Sequence, residues 1–383
     1  MKPNIRSITL FEQNNSSHSF FDNIRSNNQD FEKKVKSIFK DIRTLRWTLP
    51  AIHLATSDDL EQSLIISNKK SETLSANGFR WVNQPLVCDN IDKNPLEKIS
   101  EKSISSLINS RDILFSSLVV NKYDDVDLSS DLYSKISKSI ARSDVTGFSN
   151  FRFGIGFEIS SGTPFFPFSF SNDEGFSVAV ESFTFINNAW DEHKSLSFVA
   201  DKLTEALVEL DSTCLMLSSE LDIPFLGMDW SLAPLPNSDQ SVCSFIEKIN
   251  NAPIGSPGTL STIEKVTAAL KAPVNKVNST GFNGVMLSVL EDDVLAARFS
   301  SGHVDINDLM LLSSVCGCGL DMIPISDDVS NSSLSSVVKD VGSMAFRLKK
   351  PLGVRLLTMH EKKPGEETNF SHDFVTNSKI TAL

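Results

Sequence analysis

Asn4-Ile5-Arg6-Ser7-Ile8-Thr9-Leu10 alternates with the period of a strand, and Phe31 to Leu45 then places Phe31, Val35, Ile38, Phe39 and Ile42 at helical spacing. A strand handing over to a helix predicts a βα unit, and the same handover recurs outward from it. Arg46 to Ile52 reads as a strand, Asp58 to Ala76 as a helix, and Phe79 to Val87 as a strand closed by turn formers. Helical stretches Glu97 to Ser110 and Leu132 to Ala141 flank the apolar run Ile113 to Val120, and Phe151 to Ile159 and Phe176 to Ser182 follow as strands. Trp190 to Glu220 is the longest amphipathic stretch and predicts one long helix. Strands are expected at Ile223 to Met228, Gly284 to Val289, Met322 to Ile325 and Val354 to Thr358, with helices at Leu260 to Leu270, Asp305 to Val315 and Ser333 to Leu348. Each crossover helix returns the chain to start the next strand in the same direction, so the order predicts an α/β fold with a largely parallel sheet. Nine or ten strand candidates favour a closed α/β barrel over a short open sheet. The polar stretches Asn14 to Asn28 and Asp327 to Ser335 are expected to be loops.

Composition excludes several classes of function. The 383 residues are 40% hydrophobic and 22% charged, ordinary globular usage that can bury a sizeable core. A net charge of -12 without any Lys/Arg-rich run argues against nucleic acid as a partner. No stretch reaches about 18 apolar residues, which argues against a membrane. Five cysteines, odd in number and sparse, disfavour a disulfide framework, and with no signal-peptide pattern the expected location is the cytoplasm.

Chemistry concentrates in a few segments. In Val315-Cys316-Gly317-Cys318-Gly319-Leu320-Asp321, two glycines turn a helix into a strand around Cys316, with Asp321 placed to orient it. A packed thiol beside a glycine helix cap explains the same pattern equally well. Arg152 and Arg355 lie inside apolar strand patterns and need an anionic partner if buried; Asn150 and Thr163 accompany Arg152 on segments rich in turn formers and phenylalanine. Asp229 and Glu291 close strand patterns where acid/base groups of a barrel converge, and Asp229, Glu291 and Asp292 are candidate ligands for a divalent cation. Capping is the plainer role for such carboxylates. Ser256 sits in Gly255-Ser256-Pro257-Gly258-Thr259 ahead of a helix, and Lys363 in a basic turn, both suited to an anion. No Walker, Rossmann, serine-hydrolase or zinc-protease signature is present.

Taken in order, these segments resemble the domain of unknown function 711 family, also called uncharacterised protein family 0210. The resemblance rests on Ile5 to Thr9, Asn150 to Phe153, Gly162 to Pro167, Asp229 to Pro234, Gly255 to Thr259, Gly281 to Leu287 with Glu291-Asp292, Cys316 to Asp321, Lys350 to Leu356, and Asn377 to Lys379. It implies one large single-domain α/β barrel over residues 1–383, like that of pyruvate formate-lyase and the other glycyl radical enzymes, with Cys316 in a setting similar to their central-loop cysteine. Residues 351–383 lack their Arg-Val-x-Gly loop, so the likeness does not extend to a stored radical. Cys318 stands where Thr is expected in the family's turn, and His360-Glu361 where Pro-Gly is expected. The resemblance also admits a small regulatory partner of the ACT type, and a homo-oligomer is compatible with the sequence.

The resulting expectation is an enzyme acting on a small anionic metabolite inside the barrel. Cys316, Asp321, Glu291 and Asp229 would be catalytic, and Asn150, Arg152, Thr163, Ser256, Arg355 and Lys363 would bind substrate. No cofactor is specified beyond a divalent cation on the carboxylates. The alternative is a noncatalytic metabolite-binding or regulatory protein.

Overall fold

The sequence settles into ten strands among the described residues: β1 (Asn4–Phe11), β2 (Ile42–Thr48), β3 (Ile52–His53), β4 (Trp81–Val87), β5 (Leu114–Val120), β6 (Phe153–Phe157), β7 (Gly175–Glu181), β8 (Phe225–Asp229), β9 (Gly319–Ser326) and β10 (Leu352–Met359). This is a computed structural model, and it describes residues 3–14, 19–26, 28–39, 41–56, 59–90, 101–110, 112–144, 146–236 and 239–383. The strands pair in the order β8-β7-β1-β2-β4-β5-β6-β10-β9, with β3 added beside β4. β1, β2, β4, β5 and β6 run parallel to one another, as do β7 with β8 and β9 with β10, and these three groups meet at the antiparallel pairs β1–β7 and β6–β10. Helices carry the parallel crossovers, Val126–Ser143 between β5 and β6 and Asn331–Leu348 between β9 and β10 being examples. The fold is therefore mixed α/β with a large, mostly parallel sheet, as expected. None of the helices, among the described residues, is long and apolar enough to cross a membrane.

The expected closed barrel does not appear as a continuous ladder. Among the described residues no regular pairing joins β8 to β9; instead isolated bridges link Met228 to Ser279, Leu232 to Val285 and Ser288 to Asp321. The predicted strand Gly284 to Val289 is thus an irregular segment stitching both sheet edges, because its backbone turns away after each single bridge. Three other expectations shift. The long helix from Trp190 is two, Phe183–His193 and Leu196–Leu221, broken where Lys194 adopts φ 51 and Ser195 caps the second. The stretch Asn14 to Asn28 holds the helix Ser19–Ser26, which buries Phe21 and Ile24; and β2 begins at Ile42, so Arg46 lies within a strand that the helical reading had overrun. The expected loop Asp327 to Ser335 is a short turn, the helix Asn331–Leu348 starting inside it.

The two faces of the sheet are filled differently. The outer face packs against helices, with Trp47 fully buried and its ring edge-on to Phe21 at 5.5 Å and Phe79 at 5.1 Å. The inner face carries small and polar residues, and the β6–β7 connection, residues 158–174, folds into it. Thr48 Oγ1 meets Ser169 Oγ at 2.6 Å and Asn83 Nδ2 donates to the Ser169 carbonyl at 2.7 Å. Gly154 and Gly353 lie beneath Phe168: a Cβ at either would stand 2.7 or 2.5 Å from the ring. Those glycines are in the strands because the loop's phenylalanine occupies the place of their side chains.

Candidate functional site

Strand register places the first wall of the site. Thr9, Arg46 and Trp81 are neighbours across β1, β2 and β4, so all three side chains share the inner face. Arg6 lies at a β-bulge between Ile5 and Ser7 where β1 meets β7, the kind of irregularity that re-aims a side chain. Arg6, Arg46 and Trp81, with Arg43 and Arg80, open onto a cavity of about 650 Å³. The opposite wall is built from Asp321 of β9 and Arg355 of β10, paired in register, with Cys318 just before β9 and Glu291 on the 3-10 turn Val289–Glu291. A second irregularity follows directly, where Met322 takes φ 54, strained backbone of the sort that accumulates at functional sites. Phe165, Phe166 and Phe168 of the inserted loop, with Trp81, Phe115 and Phe151, supply an apolar floor.

Charge is distributed unevenly around this cavity. Five of the eleven arginines in the sequence line it and, among the described residues, no lysine does. Arg355 is satisfied: Nε donates to Asp321 at 2.7 Å, and Nη2 to Asp321 at 2.8 Å and Glu291 at 3.0 Å. Burial works against its charge, but the two carboxylates outweigh it and hold the guanidinium pKa above its ordinary value. Arg43 pairs with Glu181 at 2.6 Å. Among the described residues Arg46 has no such partner; its Nε donates to Thr44 Oγ1 at 3.0 Å, and its guanidinium lies 4.7 Å from the Trp81 ring and 5.3 Å from that of Phe166. Burial first, then Arg6, Arg43 and Arg80 nearby, push its pKa well down. Arg6, 5.5 Å from the Phe165 ring, is likewise lowered by burial. A guanidinium does not readily lose its proton, so these shifts mark a buried positive field that an anion would relieve.

The cysteine turn is chemically distinct from the other thiols. Cys88, Cys214 and Cys243 are pushed upward by burial and are inert packing groups. Cys316 is instead drawn down to about 6 by a hydrogen bond from the Cys318 thiol, with the Lys350 ammonium adding to it, while Cys318 is raised well above its ordinary value. Lys350 is fixed here because Nζ donates to the Cys316 carbonyl at 2.6 Å and the Ser313 carbonyl at 2.9 Å. Cys318 is the sulfur that lines the cavity, and its Sγ accepts from the Leu287 N–H at 3.2 Å. Cys316 is 1% exposed and lies behind it.

Of the residues singled out in the sequence, the fold brings Asp321, Glu291 and Arg355 to the cavity, with Cys316 two positions before the lining Cys318. The rest lie elsewhere. Asp229, fully buried, accepts from the N–H groups of Ser231, Phe282 and Asn283 and from the Ser231 hydroxyl, so it clips β8 to the stitching segment instead of facing a ligand. Asp292 is a helix N-cap that also binds Cys243 N–H and Ser241. Glu291 is held by Arg355, and among the described residues no three His, Cys, Asp or Glu side chains form a metal-holding group. Asn150 ties Ser137 to Thr358, and Arg152 binds Asp112, the Ile108 carbonyl and Ser149. Thr163 closes a local turn onto Ser160; Ser256 lies in the turn before the helix Thr259–Lys271; Lys363 is exposed and paired with Asp328. Arg355, expected to bind substrate, is tied to two carboxylates, whereas Arg6 and Arg46 line the same cavity and, among the described residues, are in no ion pair. Sequence reasoning missed both. The available signal was an arginine inside each strand pattern, but the bulge and register that aim them inward are tertiary features.

The family model described as Uncharacterised ACR (DUF711) matches residues 2–371. A UPF0210 protein of Pyrobaculum aerophilum is 36% identical over 152 residues, 39% of this chain and 34% of that protein. One from Syntrophobacter fumaroxidans is 32% identical over 156 residues, 40% of this chain and 34% of that protein. A third, from Bifidobacterium animalis subsp. lactis, is 27% identical over 292 residues, 72% of this chain and 64% of that protein. The matched region thus spans about a third of the first relatives' length.

Proposed function

The chain belongs to the DUF711 family, and on that premise we propose that it is an enzyme that binds a small anionic metabolite in the arginine-lined cavity. One observation carries this reading: in a protein of net charge -12, Arg6 and Arg46 face one cavity and, among the described residues, neither is in an ion pair, Glu291 acting on both only from a distance. A carboxylate or phosphate there would meet paired N–H donors in a site largely screened from water. Across from it, Cys318 and the low-pKa Cys316 form a thiol–thiolate pair that can give or accept a proton, and Glu291 with Asp321 fixes Arg355 beside them. Cys316 then acts through Cys318, with the latter nearest the ligand.

We also propose that the sheet is a counterpart of the pyruvate formate-lyase-like barrel. The antiparallel joins on either side of the five-strand parallel group, the inserted loop and the bridges at residues 279–288 support that reading. No part of it calls for a stored radical.

Calorimetric titration with inorganic phosphate and with acetate tests the anion site. Binding to the wild-type protein that falls at least tenfold in Arg46→Met, about 1.4 kcal/mol, is the expected result. Equal affinity of wild type and variant would refute it.

A further inference from the structure

We infer that the anion held by Arg6 and Arg46 is the head group of a molecule with an aromatic or similarly flat apolar body, an aryl or arylalkyl carboxylate or phosphate. This rests on the anionic-ligand reading above and adds the chemical class. The argument comes from what surrounds the guanidiniums. The Arg46 group lies against Trp81 and Phe166, and Arg6 against Phe165. Phe115 continues the wall at 5.3 Å from Trp81, 5.4 Å from Phe166 and 5.5 Å from Phe151. A guanidinium stacks its face on a ring while its edge N–H groups remain free for an anion, which lysine cannot do. The arginine-only lining therefore fits a ligand whose charged head and flat body are adjacent.

Size and charge point the same way. A liquid water occupies about 30 Å³, so a lone inorganic anion in this cavity would leave on the order of 20 waters, many against aromatic walls. At about 650 Å³ the cavity matches an organic ligand instead. Arg355, the arginine of the far wall, is already paired with Asp321 and Glu291, so a second acidic group reaching that wall would compete with two carboxylates for it. One acidic head and one apolar body satisfy both walls.

Calorimetric titration of the full chain with two matched pairs, acetate against phenylacetate and phosphate against phenyl phosphate, separates the head groups from the body. At least one phenyl compound is expected to bind roughly tenfold or more tightly than its bare head group. In Trp81→Leu each phenyl compound should fall to within about twofold of its bare head group measured on the same variant. Phe374→Ala, a half-buried lining residue whose ring stands 6.1 Å from Trp81 and 5.3 Å from Phe151, serves as the second variant if circular dichroism shows Trp81→Leu unfolded. Equal affinity within both pairs would overturn the aryl inference and leave the anion site standing. No binding of any of the four compounds to the folded wild type would overturn both.

Discussion

Arg355 and Asp321 are partners twice over: they sit opposite each other in the β9–β10 ladder, and two guanidinium nitrogens reach the two carboxylate oxygens at 2.7 and 2.8 Å. Bidentate pairing of this kind fixes both side chains, and Glu291 completes the clasp at 3.0 Å. The cavity's acidic wall is consequently rigid, and its one arginine is already neutralised. Asp321→Ala should leave a buried guanidinium with one partner and cost about 3–5 kcal/mol in urea unfolding, whereas Arg355→Met with Asp321→Leu should cost much less.

Arg46 predicts the opposite balance. Its charge is buried and, among the described residues, is in no ion pair, only the more distant Glu291 offsetting it, so Arg46→Met should leave stability unchanged or raise it by about 1 kcal/mol while weakening anion binding. Paired unfolding and titration experiments would show this; a variant that loses stability and keeps its affinity would assign Arg46 a packing role.

The thiol pair predicts a pH dependence. Cys316 in the folded protein sits near 6, below the ordinary thiol value, so one thiolate per chain should appear by ultraviolet absorbance as pH rises through about 6. The accompanying stabilisation is fully present above the unfolded thiol's pKa and is lost as pH falls through 6, the direction required when the folded pKa is the lower one. Cys318→Ser and Lys350→Met should each move the titration upward, the first more than the second. A titration unmoved in both variants would remove the pair from the proposed chemistry.

Phe168 predicts a steric coupling. Gly154→Ala should cost about 1–3 kcal/mol, since its Cβ would meet the ring at 2.7 Å, and the loss should shrink when Phe168→Leu is added. Additive losses in the double variant, measured by chemical denaturation, would show that the loop does not press on β6.

Asp229 predicts stability without binding. It caps three backbone N–H groups and a hydroxyl, so Asp229→Ala should lower stability by about 2–5 kcal/mol and leave anion affinity of the folded protein within a factor of about two. A large loss of affinity at intact stability would return it to the site.

The alternation of period-2 and period-3.6 segments was enough, by itself, to determine the class of fold: local hydrophobic patterning decides which element forms and which face it buries. It also exposed Glu291, Asp321 and Arg355, because a charge next to or inside an apolar strand must find a partner. Whether such a partner is a ligand or the protein lay beyond it. Asp229 and Asp292 look like Glu291 in sequence, yet backbone N–H groups 49 to 54 residues away take up the first two. Arg6 and Arg46 acquired their role from a bulge and from strand register, and Cys316 from the approach of Cys318 and Lys350 in one turn. These are long-range or geometric facts, set when the sheet curls around the inserted loop, and no local pattern encodes which side chains that curvature will bring face to face.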